Sequence, residues 1–268
     1  MSLSIQGKTA IVTGAAKGVG LAVARHFVAR GANVMFVDID EPTLEAEIGH
    51  EARAEGAIRM FTGDLREKLT IANLLAATID AFDRIDIVVN ASRRMEESDP
   101  FNAEDDAVEH LWHENVLTGL RLSQMAAKRM MALAERHGDE VPSGSIINIS
   151  STAGTLTQPE LLGYSMASAA VNQMTRSLAV AFAPKGIRVN AVAFASVMSS
   201  SLQTALQGKP HLQDAIIAGT PLGRIAGTDA LTEVMQFLAS DASRFMTGQV
   251  VTVDGGRSLL DRVMIPAF

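Results

Sequence analysis

The run Thr9-Ala-Ile-Val-Thr13-Gly14-Ala-Ala-Lys17-Gly18-Val19-Gly20 decides how the rest of the chain is read. Thr9 to Thr13 is a short apolar, β-branched stretch and reads as a buried strand, and the glycines follow it at once. A helical pattern then runs through Leu21, Ala24, Phe27 and Val28 and stops at Arg30-Gly31, a basic residue and a glycine suited to a helix C-terminus. Val34 to Val37 reads as a second strand, closed by Asp38. The glycines let the backbone turn tightly and approach a pyrophosphate, which would rest on the helix N-terminus. Asp38 stands 24 positions after Gly14, near the spacing of a carboxylate that binds a ribose 2′-OH. Such a carboxylate repels a 2′-phosphate and so favours NAD over NADP. Lys17 is the opposing signal, and the carboxylate outweighs it because like charges in contact are costly. A glycine turn that only packs helix on strand is the plainer alternative. It does not account for two strands, a helix and an acid arriving in that order.

The same alternation continues along the chain. Pro42 to Ala54 reads as a surface helix, and Ile58 to Phe61 as a third strand followed by Thr62-Gly63-Asp64-Leu65. Asp64 is placed either to accept from an adenine amino group or to cap the helix that starts near Glu67. Ile71, Leu74, Leu75 and Ile79 mark that helix, and Ile85 to Val89 is a fourth strand ending in Asn90-Ala91-Ser92-Arg93-Arg94. Glu104 to His137 reads as one long helical region. Asn115 lies in its middle, a poor helix former whose presence points to a specific hydrogen bond. His110 and His113 stand between Glu109 and Glu114, read here as a polar face with no metal site.

Gly138 to Gly144 is a polar loop containing Pro142. Ile146 to Ile149 is a fifth strand ending at Ser150 and Ser151. Tyr164, the chain's one tyrosine, lies thirteen residues after Ser151 and begins a helix marked by Val171, Met174, Leu178 and Phe182. A hydroxyl at a strand end and a phenol on the next helix suit proton transfer to one oxygen while a cofactor moves a hydride. A serine-rich turn before an ordinary core helix is the alternative. Strands at Ile187 to Ala193 and Gln249 to Val253, a helix at Thr228 to Ala239, a lid-like segment from Phe194 to Thr220 and an apolar tail from Arg257 to Phe268 complete the chain. No Pro-, Gly- or Ser-rich linker interrupts it, so residues 1–268 are expected to form one α/β domain with a doubly wound parallel sheet.

Composition narrows the partners. Hydrophobic residues are 47% of 268, enough for a substantial core. A net charge of −7 without a basic tail argues against nucleic acid or an anionic membrane. The absence of cysteine removes disulfides and thiolate metal sites. With no apolar leader and no spanning run, a soluble, cytoplasmic protein is expected.

From about Ile5 to Gly256 the chain resembles the short-chain dehydrogenase/reductase family. The resemblance is carried by Thr13-Gly14-x-x-x-Gly18-x-Gly20, Asp64, Asn115, Ser151 with Tyr164, Arg188-Val-Asn190-Ala, Phe237-Leu-Ala-Ser-Asp241, Thr247-Gly-Gln and Asp254-Gly-Gly256. It implies a Rossmann-like fold, a nicotinamide cofactor, hydride transfer between carbonyl and alcohol, and a homotetramer. It makes Tyr164 the general acid/base, Ser151 the support for substrate oxygen, and Asn115 the holder of a relay water. Cofactor contacts are implied at Gly14, Lys17, Gly18, Val19, Gly20, Asp38, Asp64, Leu65, Asn90, Ala91, Val197 and Ser199.

Three departures fall at the nicotinamide end. Ser168 stands where the family has a lysine, four residues after the tyrosine and so on the same helix face. Arg93 stands where the family has a glycine, and Phe194-Ala195 where it has Pro-Gly. Two readings follow. One is a working NAD-dependent oxidoreductase with an altered proton relay, in which Arg93 or Arg94 supplies the missing cation near the ribose. The other is a cofactor-binding scaffold or sensor with little catalysis. The substrate is left open, with apolar side chains such as Phe194, Met198, Leu202, Leu206, Ile216 and Ile217 suggesting an apolar or amphipathic ketone.

Overall fold

A computed structural model describes residues 3–54, 56–104, 107–138 and 144–261. Apolar runs that alternate with amphipathic helices can bury both faces only inside a sheet covered on each side. Among the described residues they do so as β1 (Thr9–Thr13), α1 (Gly18–Ala29), β2 (Asn33–Asp38), α2 (Glu41–Arg53), β3 (Ile58–Thr62), α3 (Lys68–Phe82) and β4 (Ile87–Asn90). Next come α4 (Ala107–Leu111), α5 (Thr118–His137), β5 (Gly144–Ser151), α6 (Leu162–Phe182) and β6 (Ile187–Phe194). The chain closes with α7 (Ser200–Leu206), α8 (Pro210–Ala218), α9 (Asp229–Ala239) and β7 (Val250–Val253). The strands pair in the order β3-β2-β1-β4-β5-β6-β7, and every pairing is parallel.

Successive strand residues point to opposite faces, and two cores result. Ala10, Val12, Val34, Phe36, Ile87 and Val89 pack against Phe27 of α1, Leu44 and Ile48 of α2, and Met235 and Leu238 of α9. Ile11, Met35, Val37, Val88 and Ile146 pack against Ile71 and Leu74 of α3, Leu122 and Met130 of α5, and Leu178 of α6. The expected doubly wound parallel sheet is the observed one.

Several motifs that carried the family resemblance are fasteners of this sheet. Arg188 donates from Nη2 to the carbonyls of Leu238 and Ser240, and from Nη1 to Ser243 Oγ, pinning the end of α9 to β6. Asn190 donates to the Met246 carbonyl and accepts from Gln249 N, which sets the approach to β7. Asp254 accepts from Gly256 N and Ser258 N beyond it.

The long helical region is not one helix. Trp112–Leu117 between α4 and α5 is a π-helical turn, in which Thr118 N and Oγ1 both bond back to the His113 carbonyl. The extra residue in that turn is invisible to a 3.6-residue periodicity. Segment ends also shift slightly, with β4 starting at Ile87 rather than Ile85 and β7 at Val250 rather than Gln249. The expected loop residues 139–143, with Pro142, and the tail from 262 onward lie outside the described residues. No helix among the described residues is long and apolar enough to cross a membrane.

Candidate active site

The strand order reverses between β1 and β4, and in an open parallel sheet the crevice at the carboxyl ends of such a pair is where ligands bind. A cleft of about 490 Å³ lies there. Gly14 and Ala91 line it from the ends of β1 and β4, Asp38 from the end of β2, and Asp64 and Leu65 from beyond β3. Lys17, Gly18, Val19 and Gly20 line it from the glycine turn and the start of α1. Ser199, which caps α7 by accepting from Leu202 N, closes the far side.

The residues present fit a dinucleotide. No side chain caps the N-terminus of α1, and its first turn carries no acid, so its free N–H groups and positive dipole end are open to an anion. Gly14 and Gly18 hold φ of +65° and +61°, in the left-handed region that favours glycine. A Cβ on Gly18 would meet nothing within 4 Å, so the turn leaves room for a phosphate.

Asp38 faces this cleft while bracing it. One carboxylate oxygen accepts from Ala16 N at 2.9 Å and the other from Asp40 N at 3.0 Å. Each oxygen has a further lone pair for a ribose hydroxyl. Lys17 is drawn to Asp40, its Nζ 3.6 Å from the carboxylate. Asp64 does not cap the following helix. It accepts from Arg66 N and pairs with the Arg66 guanidinium, whose hydrogen bonds hold its carboxyl below the usual carboxylate range.

Not every residue implied by the resemblance reaches the cleft. The Asn90 side chain turns inward, donating to Asn148 Oδ1 at 2.7 Å and Ser123 Oγ at 3.0 Å. Val197 is buried and pairs with Ala226. Of the apolar residues suggested for the substrate, Phe194, Leu206 and Ile216 are buried.

Behind the cleft lies a small pocket of about 20 Å³, lined by Arg93, Asn115, Ser150, Tyr164 and Ser168 among others. Tyr164 is buried, in one apolar cluster with Leu111, Val116, Ala167 and Val171. The two serines at the end of β5 part ways because successive strand residues face opposite sides. Ser150 donates inward to Asn172 Oδ1. Ser151 Oγ accepts from Ala153 N and keeps its own proton for another acceptor. Ser168 donates to the Tyr164 carbonyl at 2.8 Å, bonding back within its own helix.

The π-turn presents Asn115 to the chain after β4. Asn115 Oδ1 accepts from Arg94 N, and its Nδ2 donates to the Arg94 carbonyl, each at 2.8 Å. From the loop so clamped, Arg93 reaches the phenol, with Nη1 donating to Tyr164 Oη at 2.6 Å. The same guanidinium lies over the Phe194 ring, 4.3 Å from its centre.

Thr13, named above only within the glycine motif, has a further role that its spacing does not show. Its Oγ1 accepts from Ala91 N and Ser92 N at 3.0 Å, tying the end of β1 to the loop that leads to Arg93. Arg66 and Glu114, which also line the cleft, were missed. The Asp64-x-Arg66 spacing was the available signal for the first.

A family profile described as enoyl-(acyl carrier protein) reductase matches residues 14–258. The chain belongs to the short-chain dehydrogenase/reductase family. As such it is an oxidoreductase that interconverts carbonyls and alcohols with a nicotinamide cofactor. This dehydrogenase/reductase is 34% identical to cis-4-hydroxycyclohexanecarboxylate dehydrogenase of Sinomonas cyclohexanicum, over 93% of this chain and 96% of that protein. It is 32% identical to a subunit of (2S)-[(R)-hydroxy(phenyl)methyl]succinyl-CoA dehydrogenase of Thauera aromatica, over 96% of this chain and 99% of that one. Its fold matches a crystal structure of gluconate 5-dehydrogenase from Burkholderia cenocepacia in complex with NADP and tartrate, with a TM-score of 0.85 and 27% identity over 97% and 98% of the two chains.

Proposed function

We propose that this dehydrogenase/reductase is NAD-dependent, with Tyr164 as its general acid/base and Ser151 as the hydroxyl that steadies substrate oxygen. One observation carries the assignment of the site. The cleft runs without a break from the Asp38 carboxylate to Arg93, and Arg93 touches the buried Tyr164 phenol.

Bound along this cleft, a nicotinamide cofactor supplies the hydride in reduction and accepts it in oxidation. The chain's own residues handle the oxygen. In reduction the substrate carbonyl accepts hydrogen bonds from Ser151 Oγ and Tyr164 Oη. As the carbonyl carbon gains the hydride, the phenol proton passes to the oxygen, leaving an alcohol and a phenolate. Oxidation runs the same steps backward. Asn115 contributes at one remove by fixing the Arg94 backbone. The homotetramer and the cytoplasmic location belong to the same proposal. Met166 and Val180 on α6 and Phe245 before β7 stand exposed, as faces that a neighbouring subunit would cover.

The preference for NAD rests on Asp38 together with Lys17, whose nearest anion is Asp40. Isothermal titration with NADH and NADPH side by side is expected to favour NADH by about tenfold or more, or ~1.4 kcal/mol. Asp38→Ala is expected to narrow that gap by weakening NADH. Equal or tighter NADPH binding by the wild-type protein would overturn the assignment.

A further inference from the structure

We infer that Arg93 is a positioning residue that stabilises the ionised form of Tyr164, doing from the loop after β4 what no cation on α6 does here. The inference deepens the proposed function, since it concerns the same phenol. It rests on contacts between residues distant in sequence. Arg93 Nη1 donates to Tyr164 Oη at 2.6 Å, a short bond of the charge-assisted kind. The guanidinium carbon also stands 4.3 Å from the centre of the Phe194 ring, so that aromatic face orients the fork. The loop that carries it is fixed before Arg93 by Thr13 and after it by Asn115.

The electrostatic surroundings make Arg93 the charge that matters. Leu111 and Val116 from the helices before α5, and Ala167 and Val171 from α6, share one apolar cluster with Tyr164. Among the other charged residues lining the neighbouring cleft, Lys17 pairs with Asp40. Asp64 pairs with Arg66, and Asp38 is held by backbone N–H groups. Glu114 lies 3.7 Å from Arg66 and 3.6 Å from Arg94. Ser168, on the same face of α6 as Tyr164, spends its hydroxyl proton on its own helix.

The contact also suits the chemistry in both directions. A phenol oxygen that accepts from Arg93 keeps its proton to give to a carbonyl. The phenolate left behind faces a guanidinium that cannot itself lose a proton. In oxidation the same charge favours the base that must take the alcohol proton.

Tyr164 is the chain's one tyrosine, so tyrosinate absorbance in the near ultraviolet reports this group alone, with no substrate or cofactor present. The full-length protein would be compared with Arg93→Gln and Arg93→Lys in pH jumps. Absorbance would be read before any change in the near-ultraviolet dichroism of Trp112, the one tryptophan. Arg93→Gln is expected to show its tyrosinate absorbance only at higher pH than the wild type. Arg93→Lys should fall between it and the wild type. The pH profile of alcohol oxidation should move with the absorbance curve.

Coincident curves for wild type and Arg93→Gln would overturn the inference, whatever the turnover. A shifted curve without turnover on any carbonyl or alcohol would uphold the role of Arg93 and overturn the proposed chemistry instead.

Discussion

Tyr164→Phe is expected to lower kcat by about 10²–10⁴-fold, the usual worth of a positioned general acid/base, while NADH affinity stays unchanged. The substitution removes one oxygen from a residue that is 4% exposed and shares an apolar cluster with Leu111, Val116, Ala167 and Val171. Phenylalanine fills the same space, so the helix and the pocket should keep their shape. What goes is the group that exchanges a proton with substrate oxygen, together with the acceptor for Arg93. The chain has no second tyrosine to take over. Ser151 would still hold substrate oxygen, which leaves a residual rate. The check is steady-state turnover of wild type and variant on one accepted substrate, beside NADH titration of both. A variant that keeps more than about a tenth of kcat (a loss under ~1.4 kcal/mol) would mean that the proton comes from elsewhere.

Gly20→Ala is expected to cost about tenfold or more in NADH affinity, or ~1.4 kcal/mol. The added Cβ would lie 2.1 Å from the Gly14 carbonyl oxygen, 2.6 Å from the Gly14 carbonyl carbon and 3.0 Å from the Thr13 oxygen. These are backbone atoms with no rotamer to escape into, so the turn itself must open. Gly14 has little room to retreat, since its own side faces the Ala91 carbonyl and Ser92 N, each 2.9 Å from a Cβ built there. Opening the turn therefore displaces the wall of the cofactor cleft and the loop that leads to Arg93. Overpacking of about 1–3 kcal/mol corresponds to a Tm lower by roughly 2–12 °C for a chain of this size. Gly208→Ala makes a suitable control. Its φ is +71°, yet nothing lies within 4 Å of its Cβ position and it does not line the cleft. Alanine there should cost stability through backbone strain alone and leave NADH binding intact. Gly20→Ala binding NADH like the wild type would show that the close approach of α1 to the glycine turn does not shape the site.

How much of this was legible beforehand depends on which residues carry it. The strand runs were legible because a sheet buried on both faces demands short, mostly apolar, β-branched stretches, and Thr9–Thr13 and Ile146–Ile149 are such stretches, Asn148 apart. The glycine turn and Asp38 were legible because the tight turn, the positive φ and the strand-end carboxylate are each tied to a residue type. The break in Glu104 to His137 was not, because one extra residue in a π-turn barely disturbs the hydrophobic repeat. The resemblance singled out Ser151, but the inward turn of Ser150 was not legible. Their types are identical, and only the direction each takes from β5 separates them.

The order of strands and helices, the glycine turn on α1 and a single phenol after two strand-end serines can all be read along the chain. Local propensity, side-chain period and turn chemistry act over a few residues, and these features need nothing more. Only the tertiary structure decided that Asn90 turns inward, that Ser168 bonds back to its own helix, and that Arg93 rather than Arg94 meets the phenol. Arg93 and Tyr164 lie 71 positions apart, and Phe194 a further 30. They meet because β4, β5 and β6 are neighbours in the sheet and release their loops at one edge. That proximity comes from long-range packing, which no local pattern in the chain encodes.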